Sequence, residues 1–241
     1  AVGMSLPNYL LEKGILLFNA GWAMSESVAE FTLAMMLSGL RDIPYMIAIM
    51  DREGWGRARK PLDLGGRRIG LVGFGGIGKR VAELLTPFRC DVVAFDPHAD
   101  FSGTGVRRVS LNELLHCSEV VSIHAGMTEE TQGMLGAEEI AQMPDNALLV
   151  NTARAGIVEE EAVVSELQSG RIRAALNVFW KEPLSRDHPL RGLDNVILTP
   201  HGGGLTYDRQ VRQSRSLVED IKRVCDGQRP THEVTAEMLL R

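Results

Sequence analysis

The chain has 241 residues, 44% of them apolar, and 26 Lys and Arg stand against 31 Asp and Glu for a net charge of −5. That is the composition of a folded protein of one large domain or one and a half small ones, and it excludes a disordered chain. No basic cluster points to nucleic acid or an anionic membrane, no apolar stretch is long enough to span a bilayer, and no signal peptide is visible.

Gly14 to Phe18, GILLF, predicts a strand. Ser27 followed by Glu30 reads as a capping box opening a helix, VAEFTLAMMLSGLRDI. That helix is apolar on nearly every face and must be covered on all sides. Either it is a core helix or it sits in a subunit interface; a surface helix ahead of the first strand has no core of its own, so the interface over residues 28–40 is the favoured reading, giving a homodimer. A polar segment follows, DREGWGRARKPLDLGG, in which Trp55 is expected to pack locally.

Arg67 to Asp96 then reads as strand, glycine turn, helix and strand. Arg68 to Val72 is a short apolar run. Gly73, Gly75 and Gly78 give the spacing G-x-G-x-x-G, and Ile77 to Phe88 has helical periodicity. The second strand, Asp91 to Phe95, ends on Asp96. The first glycine makes a tight turn, the second admits a pyrophosphate and the third brings the helix close to the strand. The helix start offers free backbone amides to the phosphates. An acid at the end of the second strand accepts hydrogen bonds from an adenosine ribose and repels a 2′-phosphate, which favours NAD over NADP. A glycine turn alone is a weak signal; here strand, helix and spaced acid supply its context.

Beyond Asp96 a short strand is expected near Val106 to Val109, and a helical turn at Leu111 to His116. Strands follow at Glu119–His124, Ala147–Asn151, Ala174–Phe179 and Val196–Thr199. Short helices are expected within Thr128–Met143, a helix with a glycine stop over Glu159–Gly170, and a long amphipathic helix over Leu205–Asp226. This alternation implies an α/β fold, a Rossmann-type doubly wound parallel sheet with flanking helices. Cys90, Cys117 and Cys225 fall in no metal or redox spacing; they read as packing residues of a protein in a reducing cytoplasm, and no metal is expected.

Arg154, Glu182 and His201 each follow one of three successive late strands. In an open parallel sheet the loops at the carboxyl ends share one edge with the glycine turn, so the three should converge beside the cofactor. A lone Arg or Glu in a loop is usually a solvated charge, and a lone His after a strand usually packs; the joint placement makes the catalytic reading. His201 would exchange the hydroxyl proton of a 2-hydroxy acid, Glu182 would hold its tautomer, and Arg154 would grip the substrate carboxylate. His98, His116 and His188 lack that placement, whereas His124 ends a strand on this edge and reads as lining the adenosine side.

The chain resembles the D-isomer-specific 2-hydroxyacid dehydrogenases. The resemblance rests on SVAEFTLAMML, GRRIGLVGFGGIGKRVA with AFDP, SIHAGMTEET, NTARAGIVEEEAV, NVFWKEP and NVILTPHGGG, in the family's order over nearly the whole chain. It implies that Arg154 binds substrate, that His201 is the acid/base with Glu182 as partner, and that the SVAEFTLAMML helix is the dimer helix. Gly76 and Ile77 would give amides to the pyrophosphate and Asp96 would hold the ribose. His124, Thr131, Thr152, Ala153 and Asn177 join Gly73, Gly75 and Gly78 as expected cofactor contacts. Asn177 stands where relatives usually carry Asp, Gly126 where Pro is common, Gly21 and Trp22 where Pro-Gly is usual, and Gly202 where Ile is common. The family also has an amino-terminal substrate lobe, to which only residues 1–20 and the segment from 206 on would belong, leaving 21–205 as the NAD domain. The rival readings are an NADH-sensing corepressor-like binding protein and a bare NAD-binding module.

Overall fold

Seven parallel strands carry the fold, and their order explains where the site lies. The computed structural model describes residues 5–235, with side chains from residue 9 onward. The strands are β1 (Arg68–Val72), β2 (Asp91–Phe95), β3 (Arg107–Arg108), β4 (Val120–Ile123), β5 (Leu148–Asn151), β6 (Arg173–Leu176) and β7 (Val196–Leu198). Their spatial order is β3-β2-β1-β4-β5-β6-β7, so the chain reverses direction across the sheet between β1 and β4. The helices are α1 (Ser5–Glu12), α2 (Ser25–Leu40), α3 (Ile43–Glu53), α4 (Gly76–Leu85), α5 (Leu111–Cys117), α6 (Ala137–Ala141), α7 (Glu160–Gln168) and α8 (Tyr207–Cys225).

Strands β4, β5 and β6 are buried along their whole length, as expected of a parallel sheet covered on both faces. The alternation of side chains sorts them into two cores. Val72, Val121, Ile123, Leu149 and Leu176 enter one, with Leu114, Leu115 and Val163 from α5 and α7. Ile69, Leu71, Val120, Leu148, Val150 and Ala175 enter the other, with Val81 and Leu85 from α4 and Ala29, Met36 and Leu40 from α2. The chain divides into two compact units. One is Val28–Gly203; the other joins the residues up to Ser27 with those from Gly204 onward.

Several expectations change. The capping box at Ser27 does not form: the helix begins at Ser25 behind a 3-10 turn, and the Ser27 hydroxyl bonds Thr206 Oγ1 at 2.9 Å and Arg212 Nη2 at 2.8 Å. Helix α2 is apolar on nearly every face and packs in the core of this chain, the less favoured of the two covers expected for it. Residues 14–18 form no strand; Phe18 alone bridges Glu233, antiparallel. Trp55 is 79% exposed and does not pack locally, whereas Trp22 stacks on His232 at 5.1 Å. Among the described residues no single helix is long and apolar enough to cross a membrane.

Candidate active site

The glycine turn is built by close contact. Gly73 has φ 96°, a left-handed conformation, and a Cβ there would lie 2.4 Å from Ala125 N. A Cβ on Gly78 would lie 2.4 Å from Gly73 O, so α4 can approach the turn only without one. Gly75 is different: a Cβ there meets nothing within 4 Å. It is the N-cap of α4, and no side chain caps the helix, so open space lies beside its start. This is the cradle a pyrophosphate needs, and the residues present fit a dinucleotide.

Asp96 stands at the end of β2 as expected, but its carboxylate is already engaged. Oδ2 accepts from Phe74 N at 2.8 Å, and Oδ1 accepts from His98 N and Ala99 N at 2.9 Å each. Desolvation works against the charged form, yet these three amides hold the pKa below the ordinary aspartate value. Asp96 therefore pins the glycine turn to the β2 loop besides presenting its charge. His124 lies behind the turn: Nε2 pairs with Ser122 Oγ at 2.9 Å, and the buried Nδ1 has no partner among the described residues. Burial pushes its pKa down to about 4, so the ring is neutral at physiological pH.

Arg154, Glu182 and His201 emerge from the carboxyl ends of the adjacent strands β5, β6 and β7, the edge that also carries the glycine turn. His201 Nδ1 lies 2.8 Å from Glu182 Oε2, and Glu182 Oε1 accepts from Phe179 N at 3.0 Å. Desolvation opposes the Glu182 charge, but the His201 hydrogen bond, the Phe179 amide and the charges of His201 and Arg154 outweigh it and hold its pKa below the usual value. An ionised Glu182 places the proton on Nδ1, so Nε2 is the nitrogen available for proton exchange. His201 adopts φ 43°, a strained conformation for a non-glycine residue. The pair borders a cleft of about 550 Å³ with Phe179, Leu184, Leu198 and Pro200 among its walls. The Arg154 guanidinium is exposed and donates from Nη1 to Ala153 O at 2.7 Å.

Other residues expected to contact the cofactor also brace the loops around it. Thr131 Oγ1 donates to Gly126 O at 2.7 Å and so closes the loop after β4. Thr152 Oγ1 is 2.9 Å from Thr32 Oγ1, whose own proton goes to Val28 O, so the Thr152 proton is committed to α2. The Ala153 amide donates to Asn151 Oδ1 at 3.1 Å. Asn177 is 2% exposed, and its Oδ1 accepts from Thr199 Oγ1 at 3.1 Å and Gly202 N at 3.0 Å, fixing the residue that follows His201. Asn151 was not singled out by sequence: besides holding Ala153 it donates from Nδ2 to Arg154 O at 3.0 Å, bracketing the Arg154 loop. A polar residue ending an otherwise apolar strand was the available signal.

Fold and site together define a Rossmann-type dinucleotide-binding domain with a His–Glu pair on its ligand edge. A family model described as "D-isomer specific 2-hydroxyacid dehydrogenase, NAD binding domain" matches residues 33–203. D-3-phosphoglycerate dehydrogenase of Methanocaldococcus jannaschii is 40% identical, over 90% of this chain and 42% of that one. Hydroxypyruvate reductase of Thermotoga maritima is 38% identical, over 87% of this chain and 70% of that one. The crystal structure of the TT0316 protein from Thermus thermophilus superposes with a TM-score of 0.86 at 33% identity, covering 95% of this chain and 75% of that one. The chain belongs to the D-isomer specific 2-hydroxyacid dehydrogenase family and carries its NAD-binding domain. It spans 42% of the length of the Methanocaldococcus relative.

Proposed function

We propose that this chain is the catalytic NAD domain of an oxidoreductase that moves a hydride between NAD(H) and a small 2-hydroxy or 2-keto acid. The observation that carries the reading is the His201–Glu182 pair, with Nε2 left as the reactive nitrogen, on the sheet edge that bears the glycine cradle. The bound nicotinamide supplies or takes the hydride. In reduction, His201 gives its Nε2 proton to the oxygen of the carbonyl being reduced. In oxidation, the neutral ring takes the hydroxyl proton through Nε2. Glu182 keeps Nδ1 protonated and compensates the imidazolium charge. Arg154 rotates away from Ala153 O to hold the substrate carboxylate in two-point fashion and to orient the carbonyl. Glyoxylate, hydroxypyruvate, phosphoglycerate and longer 2-keto acids are all chemically compatible with these groups.

Asp96 supports a preference for NAD(H) over NADP(H). His124, Thr131, Thr152, Ala153 and Asn177 act in this reading by shaping the walls of the cofactor site. The unit formed by residues up to Ser27 and from Gly204 is assigned to the base of the substrate lobe. The free cysteines Cys90, Cys117 and Cys225 support a cytoplasmic location. A homodimer is proposed through the outward face of α2, where Ala34 is exposed, and of α3, where Ile43, Ile47 and Met50 are exposed at 39%, 59% and 46%. The test of the reaction is NADH oxidation by the full-length protein against a panel of 2-keto acids. At least one should give saturable turnover, and a panel without any turnover contradicts the reading.

A further inference from the structure

The cleft beside His201 is larger than the reacting atoms need. It encloses about 550 Å³, whereas a water molecule takes up about 30 Å³ of liquid. The assigned chemistry uses two of its walls, Glu182 and His201. Most of the others are apolar, Phe179, Pro183, Leu184, Leu198 and Pro200, and one is a cation, Arg191.

Arg191 lies in the segment between β6 and β7 and is exposed. An exposed loop arginine is usually a solvated charge. This one is held in place. Its Nε donates to Ser185 O at 2.6 Å and its Nη2 to Leu184 O at 2.9 Å. Carbonyls carry no net charge, so the guanidinium is oriented but not neutralised. Among the described residues no carboxylate forms an ion pair with it, and its Nη1 has no hydrogen-bond partner. Glu182 does not fill that role, because Oε1 is taken by Phe179 N and Oε2 by His201 Nδ1. With the ring protonated for reduction, the Glu182–His201 pair is neutral, and Arg191 is the one uncompensated charge on the walls of the cleft.

The carbonyl carbon of a 2-keto acid has three substituents. Its oxygen is assigned to His201 and its carboxylate to Arg154, which is not a wall of this cleft. The side chain is the third, and the cleft shared with His201 offers it an apolar passage with a fixed cation on the wall. We propose that this cleft takes the substrate side chain, and that Arg191 selects keto acids whose side chain carries a second anionic group, a carboxylate or a phosphate. The inference rests on the assigned reaction and names its substrate class. The anion accepts from Nη1 in a charge-assisted hydrogen bond. Because Nε and Nη2 are already anchored, little freedom of the guanidinium is lost in making it.

The test is steady-state NADH oxidation by the full-length protein with two matched pairs of keto acids. One pair is 2-oxopentanoate and 2-oxoglutarate, which ends in a carboxylate; the other is hydroxypyruvate and its phosphate ester. The anionic member of at least one pair should have the higher kcat/KM, by about tenfold to a hundredfold, the usual worth of a hydrogen bond to a charged group. A preference in the first pair alone names a carboxylate as the second group, and in the second pair alone a phosphate. Arg191→Met should bring the ratio close to one, chiefly through KM of the anionic member. Arg191→Lys, which keeps the charge, should retain part of it. Each ratio is taken within one protein, so a loss of folded material cancels. Turnover without preference for the anionic members, or a preference that survives Arg191→Met, would overturn the inference and leave the reaction in place. Turnover of no keto acid at all would overturn the reaction, and the inference with it.

Discussion

His201 holds φ 43° because its neighbours over-determine it: Gly202 is tied to Asn177 on one side, and the ring is tied to Glu182 on the other. The same logic applies to Arg154, whose loop is bracketed by Asn151. Asn151→Ala leaves the Ala153 amide and the Arg154 carbonyl without their partner. We expect a loss of about 1–3 kcal/mol in urea unfolding, with KM for the keto acid rising more than kcat falls. Unchanged stability and KM would remove Asn151 from the site. His124 makes a separate pH prediction. A histidine with a depressed folded pKa stays neutral while the unfolded chain takes up a proton. Stability should therefore fall as pH drops from about 6.5 to about 4, by on the order of 3 kcal/mol at most. His124→Asn should flatten that slope, and a slope unaltered by the change would contradict the assignment. Asp96 and Glu182, whose pKa values are lowered, contribute in a lower window, lost as pH falls through their folded values. That Arg154, Glu182 and His201 leave the sheet on the edge of the glycine turn was legible in the sequence from strand order alone. The braces Asn151 and Thr199 were not, because the groups they hold come near only once the loops have folded.

At the scale of elements, the glycine turn separates two roles that its sequence spacing merges. Gly75→Ala meets open space at φ −76°. Its stability should therefore stay within about 0.5 kcal/mol of the parent, as for substitutions that touch no packed neighbour. NADH affinity should fall at least tenfold, since the new methyl enters the cradle. Gly78→Ala strikes the Gly73 carbonyl and should cost both affinity and stability. Chemical unfolding and fluorescence titration distinguish the two, and a Gly75→Ala variant with normal affinity would contradict the cradle. Strands β1 and β2 were legible to the residue, because apolar runs next to glycine and Asp punctuation leave little choice of register. Helix α3 was not. The apolar pattern of α2 runs on into it, and the break is made by Asp42 at φ 53°, whose carboxylate is held by the amides of Arg59 and Lys60. That contact is long-range in the chain and leaves no local mark. Helix α2 left two covers open for a related reason: periodicity says that a helix must be covered, not by what, and here Leu148, Val150 and Ala175 pack with it in one core.

For the whole molecule, the exposed stripe of α3 is the surface on which assembly is proposed to depend. Ile43, Ile47 and Met50 are spaced by four and three residues and so share one helical face. Ile47 is 59% exposed in the single chain. Ile47→Glu should therefore convert a dimer into a monomer in sedimentation without loss of helical signal. A wild-type protein that sediments as a monomer at micromolar concentration would contradict the dimer.

The proposed reaction is assigned to His201, and single-turnover NADH oxidation by the full-length protein at several pH values tests that assignment most directly. His201→Ala should slow hydride transfer to the best keto acid by about a hundredfold to ten-thousandfold across roughly pH 6–9. Glu182→Gln should cost less, because Nδ1 keeps a hydrogen-bond partner while the imidazolium formed in the reaction loses its anionic one. A His201→Ala enzyme that turns over at near-normal rate over that range would contradict the account.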